Sequence, residues 1–141
     1  EAMQVFTMTL NSVCIISLYI DRYTFTGGAH GNTIRSSQTW NLQKCYMLKL
    51  KQLVRCPPDY KTYILAEVKK QIDENPDIYF EDYPKLIVET FNEDSFYCTE
   101  EGIVVYYQQY DIAPYSSGIR EFLISYSDCV IDPRRICFAI T

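Results

Sequence analysis

The first forty residues alternate between apolar and polar side chains, and this alternation restricts the fold more than any other feature of the sequence. Residues 3–10 place Phe6, Met8 and Leu10 on one face, with Val5 and two threonines on the other. A period of two residues is typical of a β-strand with one buried face. The pattern resumes in two further segments, with Cys14, Ile16, Leu18 and Ile20 sharing a face in the first and Ile34, Ser36, Gln38, Trp40 and Leu42 in the second.

Short breaks separate these three segments. Asn11-Ser12 interrupts the first, and the glycine-rich string TGGAHG at 26–31 separates the second from the third. Strands joined by short connections pair in the antiparallel sense. The chain is therefore predicted to begin as an antiparallel meander.

The middle of the chain carries helix signals. Asp59 is a good N-cap before an apolar stripe at helical spacing, and it follows Pro57-Pro58, which ends the preceding segment. Pro84 is tolerated in the first turn of a helix. The predicted segments are a short helical turn at 48–54, a helix from Asp59 to about Asp73 and a helix from after Asp82 to about Phe91.

The C-terminal half returns to strand patterns. FYCT and GIVVYYQQY flank a short hairpin connection, in which Gly102 is predicted to take a backbone shape that other residues resist. IREFLISY then alternates again after the loop DIAPYSSG. The order strands, helices, strands predicts an α+β fold, an antiparallel β-sheet with two main helices packed on one face. Residues 1–141 are interpreted as one compact domain.

The composition argues against a nucleic-acid partner, a membrane span and a signal peptide. The 141 residues carry a formal net charge of −5 and no Lys/Arg block longer than two residues, so nucleic-acid binding is excluded. The apolar stretch at 3–20 contains too many polar residues to span a membrane and lacks the basic start of a signal peptide. Because its pattern is already under way at Glu1, we expect the chain to be a fragment of a longer protein.

The six cysteines allow 15 complete disulfide pairings or none. Cys45 and Cys56 flank a short segment, and Cys129 and Cys137 flank a turn at Asp132-Pro133, so two local disulfides are the candidate pairs. Cys14 and Cys98 lie inside strand-like runs, where buried free thiols are expected.

The string TGGAHGNT at 26–33 contains three of the five glycines and the single histidine, His30. A phosphate-binding loop needs a helix directly after its glycines, whereas the residues after Gly31 alternate as a strand. The glycines are interpreted as a tight corner between two strands. His30 and Asn32, held at the tip of that corner, are candidate ligand contacts.

The sequence gives little support for a catalytic or a metal site. One histidine cannot complete the ligand set of a hydrolytic metal centre, and no Cys-x-x-Cys is present, so no metal and no cofactor are expected. A serine or cysteine nucleophile with His30 as its base is formally possible, but no Gly-x-Ser-x-Gly pattern accompanies it. The chain is predicted not to be an enzyme.

The string YYQQYDIAPYSSG is the remaining candidate site. Tyr110, Asp111 and Tyr115 lie where a strand gives way to a loop, and tyrosine forms contact surface at little entropic cost. The competing interpretation is that the two tyrosines pack this loop onto the sheet, with Pro114 stiffening it. If this loop lies beside TGGAHG, the two form one composite surface.

Three stretches together resemble a known domain: TGGAHGNT, YFEDYPKLI with FYCTEEGIVVYYQQYDIAPYSSG, and IREFLISY. They are similar to the domain of unknown function 3298, which ends anti-sigma factors of the RsiV type and occurs in some peptidoglycan deacetylases of the PdaC type. The resemblance implies that residues 1–44 end a preceding associated module, that 45–128 form the RsiV-like domain and that 129–141 are an extension. It also implies an extracellular or cell-surface location, usually beyond a membrane anchor.

The predicted function is therefore a noncatalytic recognition or sensing module of a bacterial cell-envelope protein. The RsiV type binds lysozyme, so the resemblance implies a lysozyme-like protein or a cell-wall glycan as partner, although a shared domain does not fix the ligand. The alternatives are an accessory domain of a peptidoglycan-modifying enzyme whose catalytic domain lies elsewhere, and a structural scaffold. The predicted contact residues are His30, Asn32, Tyr110, Asp111 and Tyr115.

Overall fold

The strands of the protein form two antiparallel sheets. A computed structural model describes residues 1–137, so the last four residues of the predicted extension, 138–141, lie outside the described residues. The first sheet contains, in spatial order, β1 (Ala2–Ser12), β2 (Ile15–Thr24), β3 (Asn32–Asn41) and β4 (Tyr46–Met47), and the second contains β5 (Phe96–Cys98), β6 (Gly102–Tyr107) and β7 (Arg120–Ser125). The helices are α1 (Leu50–Leu53), α2 (Tyr60–Glu74) and α3 (Tyr83–Glu89).

The predicted α+β class is confirmed, and the helices begin where the local signals place them. The Asp59 carboxylate accepts a hydrogen bond from the Thr62 N–H at 2.8 Å, which caps α2. Pro84 lies in the first turn of α3. None of the helices within 1–137 combines the length and the apolar composition needed to cross a membrane.

The main core lies between the helices and the second sheet. Ile64, Val68 and Ile72 form the buried stripe of α2, and they belong to the same apolar cluster as the inward side chains of β6 and β7. Tyr106 and Tyr107 point to opposite faces of β6, and both are buried. The Tyr107 hydroxyl donates to the Ile87 carbonyl at 2.7 Å, which ties α3 to the sheet.

Gly102 is required for a different reason from the predicted one. It is not among the glycines with positive φ. Instead, a side-chain carbon at this position would collide with the backbone carbonyl of Ile124 on the neighbouring strand β7. The constraint is the close approach of two strands, and the predicted unusual backbone shape is wrong.

In the first sheet, buried polar side chains lie on the inner face and exposed apolar side chains lie on the outer face. Ser17, Thr39 and Asn41 on the inner face are completely buried. Phe6 and Met8 on the outer face are 63% and 53% exposed. An antiparallel sheet with one solvated face normally shows the opposite arrangement. The outer apolar side chains, placed by the strand register, are Phe6, Met8, Ile16, Leu18, Ile20, Ile34, Trp40 and Met47.

A β-bulge moves Leu10 away from the face that the alternation predicts. The register of β1 against β2 shifts between Met8 and Leu10, so that Leu10 lies opposite Ser17. One extra residue in a strand moves every following side chain to the other face. Leu10 is consequently buried on the inner face, and the prediction that it shares a face with Phe6 is wrong.

The free edge of β5 explains the polar inner face. β5 is the outermost strand of the second sheet, and its unpaired backbone groups face the first sheet. Ser17 Oγ accepts from the Cys98 N–H at 2.8 Å, and Thr9 Oγ1 donates to the Cys98 carbonyl at 2.7 Å. Ser37 Oγ donates to the Phe96 carbonyl at 2.5 Å. Hydroxyl side chains therefore replace the missing neighbouring strand, as buried backbone groups require.

A charged cluster joins the two sheets beside this edge. The Arg35 guanidinium donates to both oxygens of Asp21, at 2.7 and 3.0 Å, and to Glu121 of β7 at 3.0 Å. It also lies over the Tyr19 ring, 3.8 Å from the centroid. The Tyr97 hydroxyl hydrogen-bonds the same Glu121 carboxylate. Arg35 is mostly buried, so these partners compensate its desolvation.

The two disulfides join distant parts of the chain, and the predicted local pairs Cys45–Cys56 and Cys129–Cys137 are wrong. Cys56 bonds Cys129, because the antiparallel bridge between Val54 and Val130 brings those two segments together. Cys137 bonds Cys14 in the turn after β1. Cys14 is therefore not the free thiol that was predicted.

The remaining two thiols differ in exposure. Cys98 is free and completely buried, as predicted, and burial raises its pKa to about 12. Cys45, predicted to pair with Cys56, is free and exposed at a turn residue with φ of +57°.

This pairing predicts the outcome of thiol labelling. In the folded, unreduced protein one thiol is expected to react, that of Cys45, because the buried Cys98 is both inaccessible and protonated. Unfolding without reduction should expose a second thiol, and reduction should expose all six. Mass spectrometry of unreduced peptides is expected to identify Cys14–Cys137 and Cys56–Cys129, and a peptide containing Cys45 linked to Cys56 would contradict the structure.

The hydroxyl contacts with β5 predict a second result. The variant Ser17→Ala is expected to lower the free energy of unfolding by about 2 kcal/mol, because the buried Cys98 N–H loses its acceptor. Urea denaturation measures this change. Ser36→Ala, on the outer face of the same sheet, is the matched control and should change stability by less than about 0.5 kcal/mol. Equal losses in the two variants would show that the β5 edge does not depend on this hydroxyl.

Candidate functional site

Two loops distant in sequence meet at the start of β3. The first contains TGGAHG and the second follows β6 with the string QQYDIAPYSSG. The Thr33 N–H donates to Gln109 Oε1 at 2.9 Å, which joins the two. The sequence predicted one composite surface on the condition that the two loops lie side by side, and in the structure they do.

Gln108 fixes the second loop against β3 by imitating a strand. Its Oε1 accepts from the Arg35 N–H at 3.0 Å, and its Nε2 donates to the Arg35 carbonyl at 2.7 Å. β4 pairs only with Trp40 and Asn41, so within residues 1–137 the earlier part of β3 has no neighbouring strand on this side. One side-chain amide supplies the donor and the acceptor that a neighbouring strand would have supplied.

The glycine corner holds His30 at the surface. Gly27 and Gly28 adopt φ of +101° and +103°, which confirms that these glycines allow the chain to reverse between β2 and β3. His30 follows them and is exposed, with its Nδ1 3.2 Å from the Gly31 carbonyl. The corner therefore presents the histidine ring beyond the end of the sheet.

Three of the predicted residues form an aromatic cluster, defined here as His30, Tyr110 and Tyr115. The His30 and Tyr115 rings stack with their centroids 3.6 Å apart and their planes 13° from parallel. The Tyr110 ring lies 5.8 Å from that of Tyr115. The cluster joins the tips of both loops into one surface of aromatic rings.

Tyr110 occupies an unfavourable backbone conformation while remaining exposed. Its φ is +69°, in the left-handed region that bulky residues seldom adopt, and its side chain is 56% exposed. Such conformations cost on the order of 1–3 kcal/mol and are concentrated at binding and catalytic sites. Because the Tyr110 ring is exposed, its burial does not offset this conformational cost.

The other two predicted residues have different surroundings. Asp111 is partly buried and accepts a hydrogen bond from the Gln108 N–H at 3.1 Å, so its carboxylate stabilises the turn of its own loop. Burial raises the pKa of Asp111, and this hydrogen bond partly offsets the change. Asn32 is exposed at the start of β3, two residues from His30.

The chemistry available to the cluster is contact by aromatic rings. In the part of the chain that the structure describes, no three His, Cys, Asp or Glu side chains converge as metal ligands. His30 stacks on a tyrosine ring and hydrogen-bonds a neighbouring carbonyl, which differs from a catalytic base braced by a carboxylate. That the chain is not an enzyme stays a prediction.

Sequence reasoning missed the two glutamines that hold the loop. Gln108 and Gln109 stood inside the most specific string of the chain, and the doubled polar residue at the end of a buried strand was the available signal. Their partners lie more than 70 residues away on β3, so no local pattern could identify them.

The two glutamines predict different responses to the same substitution. Gln108→Glu is expected to lower the free energy of unfolding by about 2 kcal/mol, because a carboxylate cannot donate to the Arg35 carbonyl. Gln109→Glu keeps the acceptor for the Thr33 N–H and should change stability by less than about 0.5 kcal/mol. Urea denaturation at neutral pH measures both, and equal effects would contradict the strand-like role of Gln108.

Two family models match the chain, each over a different range of residues. The model described as protein of unknown function DUF3298 matches residues 51–127, which is more than half of the sequence. A second model, described as deacetylase PdaC, matches residues 1–33. A comparison with curated proteins found no match.

Two solved structures are similar to this fold. A DUF3298 family member from Bacteroides fragilis NCTC 9343 has a TM-score of 0.67 at 24% identity, over 89% of this chain and 51% of its own. A DUF3298 family protein from Pseudomonas aeruginosa PAO1 has a TM-score of 0.65 at 21% identity, over 94% and 59%. These identities show the fold alone, and the chain spans between half and three fifths of those proteins. The family model and the shared fold together establish that this chain belongs to the DUF3298 family of proteins of unknown function.

Proposed function

We propose that this chain is a noncatalytic recognition module of a bacterial cell-envelope protein, and that it binds a partner protein through the aromatic cluster. The observation that carries the proposal is Tyr110, which is exposed and held at φ of +69° beside the stacked rings of His30 and Tyr115. Tyrosine and histidine rings offer a large amphipathic contact surface with few rotatable bonds.

The loop beneath the cluster is already ordered in the unbound protein. Gln108 and Gln109 make three hydrogen bonds to the backbone of β3, and Asp111 closes the turn between them and the rings. A rigid binding surface loses less entropy when it associates, so more of the contact energy contributes to affinity. This rigidity supports contact with a folded partner.

The charge of the chain favours a basic partner. The formal net charge is −5 and the sequence pI is about 4.8, so a basic protein would be attracted over long range. A lysozyme-like protein is the partner that the family resemblance implies. Attraction of this kind weakens as salt is added, which provides an independent check.

The location proposed for the module is outside the cytoplasm, in a membrane-anchored protein. The two disulfides and the PdaC match point to an extracellular domain, since structural disulfides persist in oxidising compartments. The membrane anchor of the longer protein is proposed together with this location.

The PdaC match over residues 1–33 also favours a second candidate function. In this alternative the chain is an accessory domain that presents cell-wall glycan to an adjoining deacetylase-type enzyme. Exposed aromatic rings stack on sugars as well as on proteins, so the aromatic cluster would serve either function. A structural scaffold with no ligand of its own is the third candidate function.

Titration of the purified chain against lysozyme and against soluble peptidoglycan fragments tests the proposal. We expect calorimetry to detect binding to lysozyme that weakens as salt rises. Tyr110→Ala and Tyr115→Ala should each weaken it at least tenfold, by the roughly 1.4 kcal/mol or more expected of a central aromatic contact. Val88→Ala, at an exposed residue of α3, is the control and should leave binding unchanged.

The variant Tyr110→Gly separates function from folding. Glycine adopts positive φ without strain, so this variant should be more stable by about 1 kcal/mol and yet bind more weakly. Unchanged binding would remove the aromatic cluster from the proposal. Binding to fragments alone would favour the accessory domain, and binding to neither would favour the scaffold. Turnover of the fragments that is lost in His30→Ala would overturn the noncatalytic assignment.

A further inference from the structure

The outer face of the first sheet forms a regular apolar grid, and the site described above does not use it. The strand register places its side chains in four rows across the sheet. The rows are Gln4, Arg22 and Ile34; Phe6, Ile20 and Ser36; Met8, Leu18 and Gln38; and Asn11, Ile16, Trp40 and Met47. Eight of these positions are apolar, and one, Arg22, is charged. A sheet face of this composition is normally covered.

The apolar side chains at the margins of the grid are exposed, and those at its centre are half-buried. Phe6, Met8, Ile34 and Met47 are between 46% and 63% exposed, and they lie along both margins of the grid. The inner face of the same sheet is occupied by the free edge of β5, as the hydrogen bonds of Ser17 and Ser37 show. The apolar face therefore points away from the core of the described chain.

We propose that this face is the interface of a symmetric dimer, covered by the same face of a second copy of the chain. Two apolar sheet faces pack at about 10 Å with interdigitating side chains, as in a β-sandwich. An interface built from one patch on both partners is self-complementary under a two-fold axis. The face needs no separate complementary surface, because it pairs with itself.

The distribution of charge permits this pairing. The grid contains no acidic residue, and Arg22 lies in its first row, at one end. A two-fold axis running across the strands places the two Arg22 side chains at opposite ends, roughly 20 Å apart from the rise per residue. That separation exceeds the Debye length of about 8 Å at physiological salt, so the guanidinium groups do not oppose association.

The size of the face sets the expected strength. Four rows on three to four strands cover roughly 25 Å by 15 Å, from the strand rise and spacing. The side-chain relief makes the accessible area larger than this projection, so two such faces together reach about 1,000 Å², the lower limit of specific interfaces. The dimer should accordingly dissociate on the order of micromolar concentrations.

Sedimentation velocity over a range of concentrations tests the dimer. The unmodified chain is expected to shift from monomer to dimer across the micromolar range. Phe6→Glu and Met47→Glu, at opposite margins of the grid, should each weaken association at least tenfold by placing a charge in the apolar interface. Val88→Glu introduces the same charge at an equally accessible residue of α3 and should leave association unchanged.

The three methionines provide an internal control that needs no substitution. Met8 and Met47 belong to the outer grid, whereas Met3, 58% exposed, points to the other side of β1. Oxidative footprinting at dimer-forming concentration is expected to show protection of Met8 and Met47 with Met3 unchanged. A chain that stays monomeric at all concentrations overturns the proposal, and so does a dimer that survives both glutamate variants. Neither result bears on the aromatic cluster.

Discussion

The free edge of β5 is the constraint on which the arrangement of the two sheets depends. A strand of three residues leaves N–H and C=O groups that would be buried without partners, at a cost of about 1–3 kcal/mol each. Thr9, Ser17 and Ser37 satisfy them from the face of the first sheet, and Thr39 hydrogen-bonds Ser17 in turn. The side chains that bond the edge of β5 are consequently polar, and eight apolar side chains of the same sheet lie on its outer face.

This inversion marks the limit of what the sequence predicts about the fold. The alternation identified β1, β2 and β3 and the face that Ile16, Leu18 and Ile20 share, but a period of two does not tell which face is inside. That choice depends on bonds such as Ser17 to Cys98, which are 81 residues apart. The helices were predictable because their signals are local, as in the capping of α2 by Asp59.

The cysteines and the candidate site show the same division between local and distant information. Closeness in sequence suggested Cys45 with Cys56, whereas the Val54–Val130 bridge determines that Cys56 meets Cys129. The strings around His30 and Tyr110 were identified as candidate sites, and the glycine corner was predicted correctly. Their contact could not be predicted, because it depends on Gln109 meeting Thr33 on β3.

The two proposed surfaces have consequences for each other. The aromatic cluster and the outer apolar grid share no residue, so a dimer built on the grid leaves both clusters free to bind. The cluster adjoins the start of β3, the same end of the sheet as Arg22, and the proposed two-fold axis therefore places the two clusters at opposite ends of the dimer. Because each cluster lies beyond the end of its own sheet, the two clusters of such a dimer face in opposite directions, and the dimer would link two separate partner molecules. A second contact to the same flat surface is then excluded by geometry, so dimerisation would cross-link the partner without strengthening either single contact.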